Sequence, residues 1–221
     1  MPEASIRDGL RQGERLRKGR TLAERRQLRR QALLDAALEV FGTKGYASSS
    51  IEEICRRASV SSRDFYAEFA NRAALLSGLG EQLTYRIFQE LTDVRVDEGP
   101  DLASRRTRAR IAQLVHALVD DPRVARVAML ESVGISAEHE AKRRAAHHLY
   151  ARWISDYVRD EMDAKGVDQR HRDAFALGLV GAVNELIVDW VLLPADERSG
   201  VDELIDVVAD VALVMLLRGV D

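Results

Sequence analysis

Residues 50–69 read Ser-Ile-Glu-Glu-Ile-Cys-Arg-Arg-Ala-Ser-Val-Ser-Ser-Arg-Asp-Phe-Tyr-Ala-Glu-Phe, and this stretch decides the fold. Ser50 followed by Glu53 has the spacing of a capping box, and Ile51, Ile54, Cys55 and Ala58 share one face over barely two helical turns. Ser59-Val60-Ser61 then interrupts the helix. Ser61 can cap a second short helix with Asp64 at its third position, while Val60 and Phe65 stand where a hydrophobic staple closes. With Phe65 and Phe69 turned inward, a rotation of about 100° per residue sends Arg63 and Ala67 outward. Ser62 and Tyr66 then flank one side and Asp64 the other. Two short helices across a tight turn, the second with a small, polar, cationic outer face, have the geometry of a helix-turn-helix. In that geometry the second helix enters the DNA major groove, so its outward residues must be short and able to hydrogen-bond. Helix starts at Ser50, Ser61 and Asn71 offer bare N–H groups suited to phosphates. Arg63 can fork onto guanine.

Upstream, Leu34, Ala37, Leu38 and Phe41 repeat at helical spacing and Gly45 is a left-handed stop, which predicts a helix from about Arg25. Residues 1–24 hold few apolar side chains, three glycines and many arginines, and read as a mobile basic arm. Arg7, Arg11, Arg15, Arg17, Lys18 and Arg20 either track DNA without specificity or form an inert tail. Downstream, apolar residues recur at three and four rather than two, predicting helices near 71–97, 101–119, 122–133, 137–165, 168–193 and 201–218. Boundaries are marked by Asp121-Pro122, Ser136, Gly166, Asp168, Pro194 and Gly219. The expected fold class is all-α: a three-helix helix-turn-helix domain over 25–76 behind the arm, then a larger helical domain over 77–221.

Length and composition narrow the function. With 221 residues, 46% of them apolar, the chain can bury a core without staples and is neither disordered nor collagenous. Cys55 is the single cysteine, which excludes an intramolecular disulfide, a CxxC redox pair and a cysteine zinc site. The first twenty residues lack the apolar core of a secretory signal. The longest apolar run, 174–183, is too short for a bilayer and is followed by Asn184, Glu185 and Asp189. The expectation is therefore a soluble, cytoplasmic protein without a membrane partner. Residues 1–76 carry a net charge of +5 and residues 77–221 of −8, as expected of a polyanion-binding end on an acidic body.

Catalytic and metal motifs fail on spacing. His139, His147 and His148 do not stand at i,i+3 or i,i+4, and Arg143 occupies the place of the second histidine of H-E-x-x-H. His171-Arg172-Asp173 copies a kinase tripeptide without the glycine-rich loop, and Gly78-Leu79-Gly80 lacks a third glycine. The expectation is no metal, no cofactor and no enzymatic activity.

Residues 32–76, reading ALLDAALEVFGTKGYASSSIEEICRRASVSSRDFYAEFANRAALL, resemble the DNA-binding domain of the TetR family of transcriptional regulators. The resemblance rests on Phe41…Lys44-Gly45-Tyr46, the Ser-Ser-Ile helix start, Ala58…Val60-Ser61, Phe65-Tyr66…Phe69, and a basic residue before Ala74-Leu75-Leu76. It implies a homodimer on a palindromic operator in double-stranded DNA, usually repressing and released by a small molecule. Ser50 resembles the phosphate-contacting hydroxyl, Ser62, Arg63 and Tyr66 the recognition-helix contacts, and Arg72 the basic anchor of the fourth helix. Ser61 and Asp64 complete the expected DNA-binding set; a helix-capping carboxylate is the alternative for Asp64, and packing on the first helix is the alternative for Tyr66.

Three residues depart from the family pattern: Ser59 replaces a common glycine, Arg63-Asp64 a frequent Gly-Thr pair and Glu68 a frequent aromatic. Asp64 and Glu68 favour a rival reading, a helical small-ligand-binding protein whose DNA-binding face has decayed. In the body, Leu149, Trp153, Ile154, Tyr157 and Val158 make one apolar stripe and Phe175, Leu179, Val183, Leu186 and Trp190 another. The resemblance implies a pocket here for a small apolar or amphipathic effector, with Trp153, Tyr157, Asn184 and Trp190 as the candidate ligand-binding residues. A structural hydrogen bond is the alternative role for Asn184. The resemblance also pairs the last two helices with their mates, where Gly178, Gly181 and Ala182 allow close approach and Val201, Leu204, Ile205, Val208, Val211, Ala212, Met215 and Leu216 form a wide apolar stripe.

Overall fold

The structure, a computed structural model, describes residues 21–215 apart from 93, 96, 98 and 99. The basic arm up to residue 20, together with Leu216 and Gly219, lies outside them. Among the described residues 79% are helical and none is in a strand. Helix α1 spans Leu22–Lys44, α2 Ile51–Ala58, α3 Ser62–Glu68 and α4 Arg72–Thr92. They are followed by α5 Leu102–Val119, α6 Pro122–Ala125, a π-helical turn Arg126–Leu130, α7 Ala137–Tyr157, α8 Arg159–Ala164, α9 Gln169–Leu192 and α10 Val201–Leu213.

Helix α1 starts before Arg25 because Thr21 and Glu24 form a complete capping box. Thr21 Oγ1 accepts from the Glu24 N–H at 3.2 Å, and Glu24 Oε2 accepts from the Thr21 N–H at 2.7 Å. The helix ends where expected, at Gly45, whose φ of 85° lies in the left-handed region. Its inner side buries Leu33, Ala37, Val40 and Phe41 against Ile54 of α2, Phe65 of α3 and Leu75 of α4. Each wholly buried side chain of this kind contributes roughly 1.5–3 kcal/mol, which holds in place α2 and α3, two short helices that could not persist alone.

Helix α4 runs from this small domain into the body without a linker, so a boundary at 76/77 falls inside it. Asn71 caps it, its Oδ1 accepting from the Ala74 N–H at 2.8 Å. Three expected helices differ. The helix expected over 71–97 ends at Thr92. The one expected over 122–133 is four α-helical residues followed by the π turn, which closes with the Glu131 N–H on the Arg126 carbonyl. The one expected over 137–165 breaks at Val158, whose ψ of 6° is not helical. In the body, α7 packs chiefly on α9, and α10 on α5.

Helix α9 is long and apolar enough to cross a membrane by length and composition, yet only 22% of its most apolar window is buried. Its exposed side carries Leu177, Gly178, Gly181 and Leu192, and the α10 segment exposes Val207 and Val214.

Candidate nucleic-acid interface and ligand cavity

The recognition face is assembled by caps at both of its helices. Ser50 Oγ accepts from the Glu53 N–H at 3.2 Å, but the second half of the expected box is replaced by an ion pair between Glu53 and Lys44 at 2.7 Å. That hydrogen bond holds the Glu53 carboxyl below its usual range. Ser61 Oγ accepts from the Asp64 N–H at 3.1 Å and its hydroxyl donates to Asp64 Oδ2 at 2.8 Å, so Asp64 is occupied in capping. Ser59 is left-handed at φ 55° and ψ 39°: the turn demands the conformation that glycine adopts without strain, and a serine supplies it.

On α3, Phe65 is wholly buried and Phe69 nearly so, while Ser61, Ser62, Arg63, Tyr66 and Ala67 are exposed. Tyr66 is 57% exposed and touches Phe65 edge-on at 5.3 Å between ring centroids. Glu68 points the other way. Its carboxylate is 1% exposed and sits between Arg26 at 3.0 Å and Arg29 at 3.6 Å on α1. The two acidic residues that favoured a decayed face both have partners within the protein, Asp64 at the cap of α3 and Glu68 on α1.

Arg72 is also turned inward. Its guanidinium lies 4.2 Å over the Tyr46 ring and donates to the Ser49 carbonyl and to Ser49 Oγ, bracing the loop that presents Ser50. It positions the start of α2 rather than projecting from the surface.

The small domain is clamped to the body at the end of α1. Glu131 Oε2 accepts from the Tyr46 N–H at 2.7 Å, and Glu131 Oε1 pairs with Arg126 at 3.0 Å. Gly42 permits the approach, since a Cβ there would lie 2.4 Å from Arg123 Cβ. The Tyr46–Glu131 contact joins residues 85 positions apart and has no signature in the sequence.

Within the body, α4, α5, the π turn, α7 and α9 enclose a largely apolar cavity of about 630 Å³, within the range of small-molecule sites. Trp153, Tyr157 and Asn184 line it, as expected. Trp153 and Tyr157 stack at 6.1 Å with an interplanar angle of 11°. Trp190 does not line it. The indole lies on the same side of α9 as Val183 but roughly 10 Å farther along the axis, where its Nε1 donates to the Ser199 carbonyl at 3.1 Å.

The cavity wall also holds Arg110, His139 and His147, which sequence reasoning did not select as ligand residues. His139 Nδ1 meets Ser77 Oγ at 2.8 Å. Burial holds both imidazoles below the usual histidine range, with Lys142 acting in the same direction on His139 and Arg143 on His147. Tyr150 donates to the Thr84 carbonyl at 3.1 Å, and burial pushes its phenol up to about 12. No group of three metal-ligating side chains occurs among the described residues. The kinase-like tripeptide is dispersed: His171 pairs with Asp168, Arg172 with Asp163, and Asp173 accepts from Ser155.

Residues 33–79 match the model of the bacterial regulatory proteins of the tetR family. Its N-terminal domain is a tetR-family domain. The family is one of DNA-binding regulators and not of enzymes. No curated protein matches the chain by sequence. Solved structures extend the likeness over the body at the level of fold. A transcriptional regulator from Rhodococcus sp. Rha1 is 21% identical, with 87% of this chain and 97% of that one covered and a TM-score of 0.69. The fatty acid degradation regulator FadR from Bacillus halodurans is 17% identical, covering 86% and 95%, with a TM-score of 0.68. FadR from Bacillus subtilis, solved in complex with stearoyl-CoA, is 20% identical, covering 85% and 97%, with a TM-score of 0.65.

Proposed function

We propose that this protein is a cytoplasmic transcriptional repressor that binds a palindromic operator as a homodimer and releases it when a small apolar or amphipathic molecule fills the cavity. One observation carries the reading: α3 turns Ser62, Arg63 and Tyr66 to solvent while Asp64 and Glu68 are held by the protein itself. That surface has the size and hydrogen-bonding character that the major groove accepts. Ser50 and Ser61, at the two helix starts, meet phosphates, and Arg72 acts through the loop that presents Ser50.

Dimerisation through the exposed apolar sides of α9 and α10 accounts for an apolar helix left half open to water. Two α3 helices related by that axis must then sit about 34 Å apart, or at a related spacing, to read both half-sites.

The π turn supplies the route from cavity to DNA. Val127, Ala128 and Met129 line the cavity, and the flanking Arg126 and Glu131 hold Thr43 and Tyr46 at the end of α1. A ligand that favours another arrangement of this turn shifts the population toward a spacing the operator does not fit. The stearoyl-CoA complex of the Bacillus subtilis relative supports an acyl compound as the class of effector.

Selection from a random duplex DNA library at near-physiological salt tests the reading. An enriched palindrome is expected, with affinity falling steeply as salt rises. A folded, dimeric protein that enriches nothing refutes it. On the enriched operator, Arg63→Ala should lose roughly 1–3 kcal/mol and relax preference at one base position.

A further inference from the structure

The cavity wall contains a charged group with donors that meet no acceptor among the described residues. Arg110, on α5, borders the cavity, and its guanidinium lies 4.2 Å over the Tyr157 ring and 5.6 Å from the centre of the Trp153 ring. The ring faces attract the cation, yet they accept nothing from the guanidinium edge. Arg110 Nε and Nη1 are both buried and find no acceptor among the described residues. A charged donor removed from water without a partner is costly, and proteins keep such a group chiefly where something else completes it.

The other cations of the wall do not share this condition. Lys142 pairs with Glu81 at 3.2 Å, Arg143 with Glu140 at 2.5 Å, and Arg152 is exposed to solvent. His139 and His147 are held toward the neutral form by burial. The wall therefore carries one half-buried positive charge, two of whose donors meet no acceptor among the described residues, set among aromatic and aliphatic side chains.

Resting on the effector-cavity reading above, we infer that the effector is an apolar monocarboxylic acid whose carboxylate pairs with Arg110 while its chain fills the space toward Trp153, Phe88 and Ile87. A carboxylate brings one negative charge and two acceptor oxygens, which matches one cation with at least two unsatisfied donors. A phosphate dianion would leave a surplus charge in an apolar space, and a neutral alcohol or ester would leave the cation unpaired.

Calorimetric titration of the full-length protein with laurate, dodecanol and lauroyl-CoA, each below its micellar concentration at neutral pH, tests this. Laurate should bind the wild type at least about tenfold more tightly than dodecanol, the scale of a charge-assisted contact. Arg110→Met keeps a long apolar side chain against Tyr157 and removes the charge. It should erase that preference while dodecanol binds as well as before or better. Arg110→Lys keeps the charge without the planar fork and should retain part of the preference.

Equal binding of laurate and dodecanol by the wild type, a comparison that needs no variant to fold, overturns the carboxylate pairing and leaves the cavity standing as an effector site. A preference that survives in folded Arg110→Met overturns it in the same way. Tighter binding of lauroyl-CoA than of laurate moves anion recognition to the phosphates and also overturns it. Failure of all three probes to bind refutes the effector-cavity reading itself.

Discussion

Glu131→Ala tests whether the clamp between the small domain and the body is energetic or merely geometric. The substitution removes the acceptor of the Tyr46 N–H, 2.7 Å away, and the partner of Arg126, 3.0 Å away. Tyr46 is half-buried and the Glu131 side chain is 16% exposed, so the first contact is a charge-assisted hydrogen bond largely out of water, worth roughly 1.5–3 kcal/mol. The Arg126 side chain is 40% exposed, and solvent screening reduces its pairing to roughly 0.5–1 kcal/mol. Together the loss is about 2–4 kcal/mol. For a chain of this length each kcal/mol moves the melting temperature by roughly 2–4 °C, so the midpoint should fall by about 5–15 °C. Differential scanning calorimetry reads this directly and adds a second signature, because weakened coupling should split one transition into two, with the small domain melting first. Glu131→Gln retains a carbonyl acceptor for Tyr46 and should lose less than half as much. A single transition with an unchanged midpoint in Glu131→Ala would refute the clamp and, with it, the route proposed from cavity to recognition helix.

Ser59→Gly should stabilise the protein by about 1 kcal/mol, since φ at this position is 55° and glycine meets no Cβ penalty there; a loss of stability in urea unfolding would show that the turn is not strained. Phe65→Ala should cost roughly 3–5 kcal/mol, as the ring is wholly buried against α1 and α2. Melting at the wild-type temperature would place the ring outside the core. Burial depresses the folded-state pKa of His139 and His147 below the usual 6.5, so the unfolded chain binds more protons once pH drops under that value. Stability should be full above that pH and decline as pH falls toward the depressed folded values, and replacing both histidines by glutamine should flatten the decline in melting temperature between about pH 7.5 and about 5.5. Parallel curves for the two proteins would count against it.

The interrupted pattern of residues 50–69 is legible because every instruction in it is local. Ser50, Ser61 and Asn71 each cap a helix by reaching the N–H three residues on, and Phe65 and Phe69 select the inner side through helical rotation alone. Gly45 stops α1 through its own φ. Glu53 and Asp64 show the limit of such reading. Both sit at capping-box spacing, yet Glu53 is taken by Lys44, nine residues away, and Asp64 by the Ser61 hydroxyl rather than the backbone.

Glu68 and Arg72 were legible as charged residues but not by destination. Which way they turn depends on Arg26, Arg29 and Ser49, placed by tertiary packing. The same holds for Trp190, whose spacing on α9 suits the cavity but whose distance along the axis does not.

The sequence by itself determined the all-α class, the helix-turn-helix and its outward residues, because caps, turns and amphipathic period act within a few residues of one another. Only the tertiary structure decided that Arg110 borders an apolar cavity with two donors that meet no acceptor among the described residues, and that Glu131 reaches across 85 residues to hold Tyr46. A cavity and a clamp are made by side chains from separate helices. Their chemistry depends on what is not nearby as much as on what is, and spacing along one chain carries no record of either.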